Sequence, residues 1–289
     1  MAQMPQMAHM QQMAQMHSRA ALLVVAGGLA AIVVTACAPA QPQAYRAPRT
    51  PDGTPDLSGI WQANNTANWD LEAHAARPGP VFALGAAFSV PAGIGVVDGD
   101  GAIPYRPEAL EKKKENGEKW MTLDPEVKCF MPGIPRATYM PYPFQIVQSA
   151  DNVVMSYEFA SASRVVRMNS KEQSPAPAWM GWSIGRWDGE TLVIDVTDHM
   201  EETWFDRAGN YHSDALKVTE RYTAIDSNTL QYQATIEDPK VFSRSWTISM
   251  PLYRRREPNV QLMEYKCVEF AEELMYGHLR KRSEVRGEK

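Results

Sequence analysis

The chain has 289 residues, a formal net charge of −5 and 44% apolar residues. That apolar share is enough to bury a core, and the mild acidity excludes the clustered basic surface of a nucleic-acid binder. Three cysteines are too few for a disulfide-rich mini-scaffold, and beyond the N-terminal region no stretch is apolar enough to span a bilayer.

The N-terminus reads as an address. Met recurs at every third position from Met1 to Met16, in a low-complexity tract with no reason to pack, so residues 1–15 suit an upstream mis-called start. His17-Ser18-Arg19 then precedes an apolar run from Ala20 to Val34 and the small-residue stretch Val34-Thr35-Ala36-Cys37. A charged start, a short apolar segment and small residues before a cleavage point describe a secretory signal over residues 1–36. The terminal Cys37 makes it resemble a bacterial lipoprotein signal, whose lipidated cysteine anchors the protein to the membrane. The alternative is a single transmembrane anchor, against which the Gly27-Gly28 break counts. Ala38, not Asp, follows the cysteine; by resemblance to the usual sorting rule this implies the periplasmic face of the outer membrane. Residues 37–55 carry five prolines from Pro39 to Pro55 and are expected to form a semi-rigid tether.

One domain is expected over 56–289. Gly59-Ile60-Trp61 enters a first strand, residues 62–122 are irregular apart from a solvated helix over 107–120, and the proline-rich stretch 124–143 reads as a rigid loop. From Phe144 onward, period-2 alternation predicts strands at 144–148, 153–159, 164–168, 181–187, 191–196, 215–223, 229–237, 243–252 and 261–267. Asp188-Gly189 is a strong hairpin signal, and an amphipathic helix over about 269–282 ends the chain. Sequential hairpins predict an all-β antiparallel meander, closed or curled into a barrel so that its edges are buried. The two cysteines left after export, Cys129 and Cys267, are expected to pair in an oxidising compartment; the alternative is two free thiols.

Several phrases carry a resemblance over roughly residues 54–267. They are Thr-Pro-Asp-Leu-Ser-Gly-Ile-Trp (54–61), Cys-Phe-Met-Pro-Gly-Ile-Pro-Arg (129–136), Pro-Tyr-Pro-Phe-Gln-Ile-Val-Gln (141–148) and Trp-Met-Gly-Trp-Ser-Ile-Gly-Arg-Trp-Asp-Gly-Glu-Thr-Leu-Val-Ile (179–194). With Trp204–Ser213 and Val218–Tyr222 they make the chain similar to a widespread family of exported bacterial proteins. The resemblance is nearly silent on activity. Where that family's last phrase reads Cys-x-Glu-Asn, this chain has Cys267-Val268-Glu269-Phe270. The Gly-x-Trp of the first strand and the helix after the last resemble the lipocalin-like (calycin) plan.

Strand parity locates polar groups on apolar faces. Glu220 shares a face with Leu216, Val218 and Tyr222, and Arg186 shares one with Trp182 and Ile184, which makes Arg186 the expected partner of Glu220 inside the barrel. The long connection from Val196 to Ala215 holds His199, Asp206 and His212. His212 is expected to hang over the opening, and with Asp206, Glu220 and Arg186 it forms a hypothetical acid/base set. The competing reading of these groups is structural: a buried pair that pins register, and loop histidines that cap turns. A metal held by His199, His212 and Asp206 is conceivable, but no spacing resembles a zinc motif, so neither metal nor cofactor is expected. Trp182, Trp204, Trp246, Tyr222 and Tyr232 are candidate walls for a small apolar or aromatic ligand. The leading expectation is a lipid-anchored barrel that binds such a molecule. The alternative is an acid/base lyase, hydratase or isomerase on the same barrel, and the third reading is a structural envelope lipoprotein.

Overall fold

The computed structural model describes residues 45–286; Cys37, the expected signal and most of the expected tether lie outside them. Nine strands form one closed barrel. They are β1 (Gly59–Ala63), β2 (Phe144–Gln148), β3 (Asn152–Tyr157), β4 (Ser163–Met168), β5 (Trp182–Asp188), β6 (Thr191–Thr197), β7 (Lys217–Ala224), β8 (Thr229–Glu237) and β9 (Trp246–Arg254). Each strand pairs with its sequence neighbour, and β1 closes the ring on β9 through Trp61↔Arg254 and Ala63↔Leu252. The all-β closed barrel with a C-terminal helix, Ala271–Arg286, is therefore the fold.

The meander differs from the expected one first at a seam. β4 and β5 are parallel, with Val166↔Ser183 and Met168↔Gly185. A parallel pair needs a crossover from one end of the sheet to the other, and residues 169–181 supply it. The segment 261–267 forms no strand. The physical reason is closure: β9 already pairs with β8 and β1, so no edge is left for another strand. The segment instead runs outside the barrel, with Tyr265 against Tyr142 and Phe159 at ring distances of 5.1 and 4.9 Å. Cys267 is disulfide-bonded to Cys129, closing a span of 138 residues. On the chain-entropy argument such a link is worth up to about 5 kcal/mol.

The two ends of the barrel are unlike. The short turns at 149–151, 189–190 and 225–228 lie at one end, with residues 45–58, where Gln148 Nε2 donates to Pro55 O at 3.0 Å. The last part of the expected tether thus lies against the barrel. At the other end sit the β1–β2 connection (residues 64–143), the loop 198–216 and the loop 238–245. The 64–143 segment has little regular structure, as its composition predicts: α1 (Leu110–Glu118), α2 (Trp120–Leu123), α3 (Arg136–Tyr139) and short 3-10 turns. It is nevertheless a cap. Leu71, Val81, Ile103, Trp120, Ile134 and Tyr139 join the barrel residues in one buried core. Residues 96–98 continue the ring beside β9, with Asp98 N donating to Thr247 O and Ser249 N to Val96 O, both at 2.9 Å.

What fixes the cap is ionic. Arg136, from the proline-rich stretch, is 1% exposed. It donates to both oxygens of Asp124 (2.7 and 2.9 Å), to Glu126 (2.7 Å) and to Asn68 Oδ1 (2.8 Å). Arg207, from the loop 198–216, forks onto the same Glu126 at 2.8 Å twice and lies over the rings of Trp69 and Trp120. Burial works against the Glu126 charge, but Arg207 and Arg136 prevail and hold its carboxyl down at about 2. Among the described residues no helix is long and apolar enough to cross a membrane.

Candidate functional site

The interior of the barrel follows from period-2 alternation on β7, β8 and β9. Val218, Glu220, Tyr222, Leu230, Tyr232, Ala234, Ile236, Trp246, Ile248, Met250 and Leu252 all point inward and are buried. Glu220 is fully buried, as its parity predicts, but its partner is Arg164 on β4. Arg164 Nη1 lies 2.6 Å from Glu220 Oε2. The hydroxyls of Tyr222 and Tyr232 donate to Glu220 Oε1 at 2.8 and 2.9 Å. Burial, with the neighbouring Glu220 charge added, pushes both phenols well above their ordinary range, so they remain donors. Burial opposes the Arg164 charge and Glu220 more than offsets it, raising the guanidinium. The buried carboxylate is therefore held by three donors, the condition under which a buried charge is tolerated.

Arg186 is on the opposite face. It pairs with Asp195 outside the barrel, both side chains nearly half exposed. β5 turns Ser183, Gly185 and the partly buried Trp187 inward, and Trp182, Ile184 and Arg186 outward. The reason is space. A Cβ on Gly185 would come within 2.6 Å of Met168 Sδ and 2.7 Å of Val166 Cγ1, because β4 already fills that part of the lumen. Trp182 consequently lies outside, stacked under Arg167 at 3.8 Å with its indole N–H donating to Glu172 O. The signal for Arg164 was available: it shares a face with Val166 and Met168 on β4.

His212 does not hang over an opening. It is 2% exposed, and both ring nitrogens are engaged. Nδ1 is 2.8 Å from Ser213 O and so carries the proton; Nε2 accepts from Thr203 Oγ1 at 2.7 Å. Asp206 is fully buried in a cradle of Leu71 N, Asn210 N and Asn210 Nδ2, at 2.9, 3.2 and 2.6 Å, which ties the loop to the cap. Trp204 is buried in the same loop, bridged to Tyr211. Glu220, Tyr222, Tyr232 and Trp246 are thus brought together in the lumen, with the histidines above them, while Arg186 and Trp182 are not. Among the described residues no three His, Cys, Asp or Glu side chains are placed to hold a metal ion.

One of the two loop histidines stands out. His199 is 2% exposed, and neither of its ring nitrogens has a well-formed hydrogen bond, the backbone of Leu216 being the polar group that acts on it most nearly as a partner. Arg164 Nε and Trp246 Nε1 are likewise buried without partners. A column of rings leads from Trp246 to Phe205, His212 and His199, with centroids 5.7, 5.4 and 5.9 Å apart. Orphaned buried polar atoms are rare in folded proteins, and each calls for an explanation, a functional role or a bound water or ion among them.

Two of these groups make opposite pH predictions. Burial, then the neighbouring His212, lowers His199 from 6.5 to about 3. Burial, then Asp70, raises Asp206 from 3.8 to about 7. Below pH 6.5 the unfolded chain protonates His199 and the folded one does not, so its contribution is lost as pH falls toward 3. Asp206 runs the other way: its contribution is full below 3.8 and is lost as pH rises through 7. Each slope is roughly 1.4 kcal/mol per pH unit, so they nearly cancel between pH 4.5 and 6.5. His199→Phe is expected to make stability rise on acidification across that window, and Asp206→Asn to make it fall. Denaturant midpoints at pH 6.5 and 4.5 measure this; parallel pH profiles for the three proteins would refute the assignment.

No family model matches the chain, and no curated protein matches it.

Proposed function

We propose that this chain is an exported, lipid-anchored barrel that binds a small molecule with an apolar or aromatic body and a hydrogen-bonding group. One observation carries the binding reading: His199, Arg164 and Trp246 bring buried polar atoms without partners into a closed, aromatic-walled barrel. A bound molecule would satisfy them. Binding is favoured over acid/base chemistry because the oxygens and nitrogens of Glu220, Asp206 and His212 are already committed to hydrogen bonds. The anchoring part of the proposal rests on the signal and Cys37, and its periplasmic outer-membrane address on Ala38.

Native mass spectrometry of the protein purified from its host tests the reading. The expected result is a small-molecule adduct on the parent protein that His199→Phe lacks, although that variant is at least as stable, since an apolar ring replaces an unpartnered polar one. A parent protein without any adduct, or an adduct equally present on His199→Phe, overturns the interior site. Cys37→Ser is expected to move the protein out of the membrane fraction; its retention there under high salt overturns the lipid anchor.

A further inference from the structure

The capped end of the barrel carries a second feature, outside the lumen. A cleft of about 520 Å³ opens where β7 and β8 meet the loop 238–245 and the cap. Its volume falls in the range of small-molecule sites, roughly 300–1,000 Å³. Phe242 provides an apolar floor and is itself 2% exposed, packed edge-on to Tyr105 and Trp246 at 5.0 and 5.3 Å. Ser243 and Ser245 add hydroxyls, and three cations surround it: Arg106, Lys217 and Arg244.

The lining sets these three cations beside two acids, Glu237 and Asp238. Arg106 gives its Nε–H to Pro239 O at 2.8 Å and, among the described residues, has no carboxylate partner. Lys217 stands opposite Glu237 in the β7–β8 register, yet it makes no ion pair or side-chain hydrogen bond with it. Arg244 meets Asp100 at 3.5 Å, with both side chains more than half exposed, a contact of little worth in water. Asp238, the other acid in the lining, keeps its charge and accepts from Ser213 N, Ser213 Oγ and Lys240 N.

The walls are preformed. Arg106 N donates to Val241 O and Ser243 N to Pro104 O, at 2.9 and 2.8 Å, stitching the cap to the loop. Phe242 N donates to Asp238 O at 2.8 Å, which holds the floor against the other wall. An apolar floor bordered by three cations, of which only Arg244 meets a carboxylate, suits an anion with an apolar body, whose charge the rim cations share.

We propose that this cleft is a binding site for a small aromatic carboxylate, distinct from the lumen, with Lys217 and Arg244 receiving the carboxylate over Phe242. The probes are 2-naphthoate and its neutral analogue 2-naphthalenemethanol, titrated calorimetrically into the purified protein. Naphthoate is expected to bind saturably and the alcohol about tenfold or more weakly, the loss that goes with one charge-assisted hydrogen bond. Lys217→Gln/Arg244→Gln is expected to weaken naphthoate by at least about tenfold without shifting the unfolding midpoint, since both side chains are exposed. His199→Phe is expected to leave naphthoate binding unchanged, which separates this site from the interior one. Absence of saturable naphthoate binding at millimolar concentration, equal binding of acid and alcohol, or insensitivity to the double substitution overturns the proposal. Loss of naphthoate binding in His199→Phe with retention in Lys217→Gln/Arg244→Gln would send the carboxylate to the lumen and overturn it equally.

Discussion

Arg164→Met is expected to lower the unfolding free energy by about 3–5 kcal/mol, because it strands a fully buried carboxylate. Glu220 keeps its two tyrosine donors in that variant, but it loses the 2.6 Å contact that balances its charge. Arg164→Met/Glu220→Gln is expected to recover most of the loss. Gln still accepts from Tyr222 and Tyr232, and the lumen no longer holds an unpaired charge. The measurement is urea unfolding of the parent, the single and the double variant. A single variant within about 1 kcal/mol of the parent, or a double variant no better than the single, would show that the lumen hydrates or neutralises Glu220 without Arg164.

The second large effect is expected at Arg136. Its guanidinium answers two buried carboxylates, Asp124 and Glu126, and the oxygen of Asn68. Arg136→Leu leaves Asp124 without a cation and Glu126 with only Arg207, at a cost of about 3–5 kcal/mol. Arg136→Lys keeps the charge and loses the fork, so about 1–3 kcal/mol is expected. The damage is local in character: hydrogen exchange should accelerate first over 64–143, which Arg136 ties together, and later in β7, β8 and β9. Uniform acceleration throughout the chain would mean that the cap and barrel open as one unit.

The two arginines show how much the sequence disclosed. Strands β2 to β9 were legible from alternation and turn residues, and so was the inward position of Glu220, because a two-residue period leaves a side chain only two faces. What parity cannot decide is which face of a strand is inside when both are mixed. On β5 the apolar residues Trp182 and Ile184 point outward and Gly185 inward, since the lumen there is occupied from β4. That inversion takes Arg186 away from Glu220, whose partner is Arg164, the single charged inward residue of β4. The strand expected at 261–267 failed for a different reason: its alternation was real, but barrel closure left it no partner. The cap was illegible because its order comes from Arg136, Asp206 and Arg207, which act between segments far apart in the chain, and local propensity does not register such contacts. His199 looked like any loop histidine until its burial was known.

The β1–β9 seam also sets when the protein can fold. Ser58 and Arg254, which bond across it, are 196 residues apart. A nascent chain emerging at 5–20 residues per second reaches the second of these roughly 10–40 s after the first. Until then β1 has no β9 to pair with, the 64–143 segment has no completed rim to sit on, and Glu220 faces an open sheet. The disulfide partner Cys267 arrives later still. Folding of this chain is therefore governed by its last strand: a truncation before Trp246 leaves both β1 and β8 with free edges that can pair with another chain, and holding such an intermediate unpaired is a task for whatever receives the chain as it emerges.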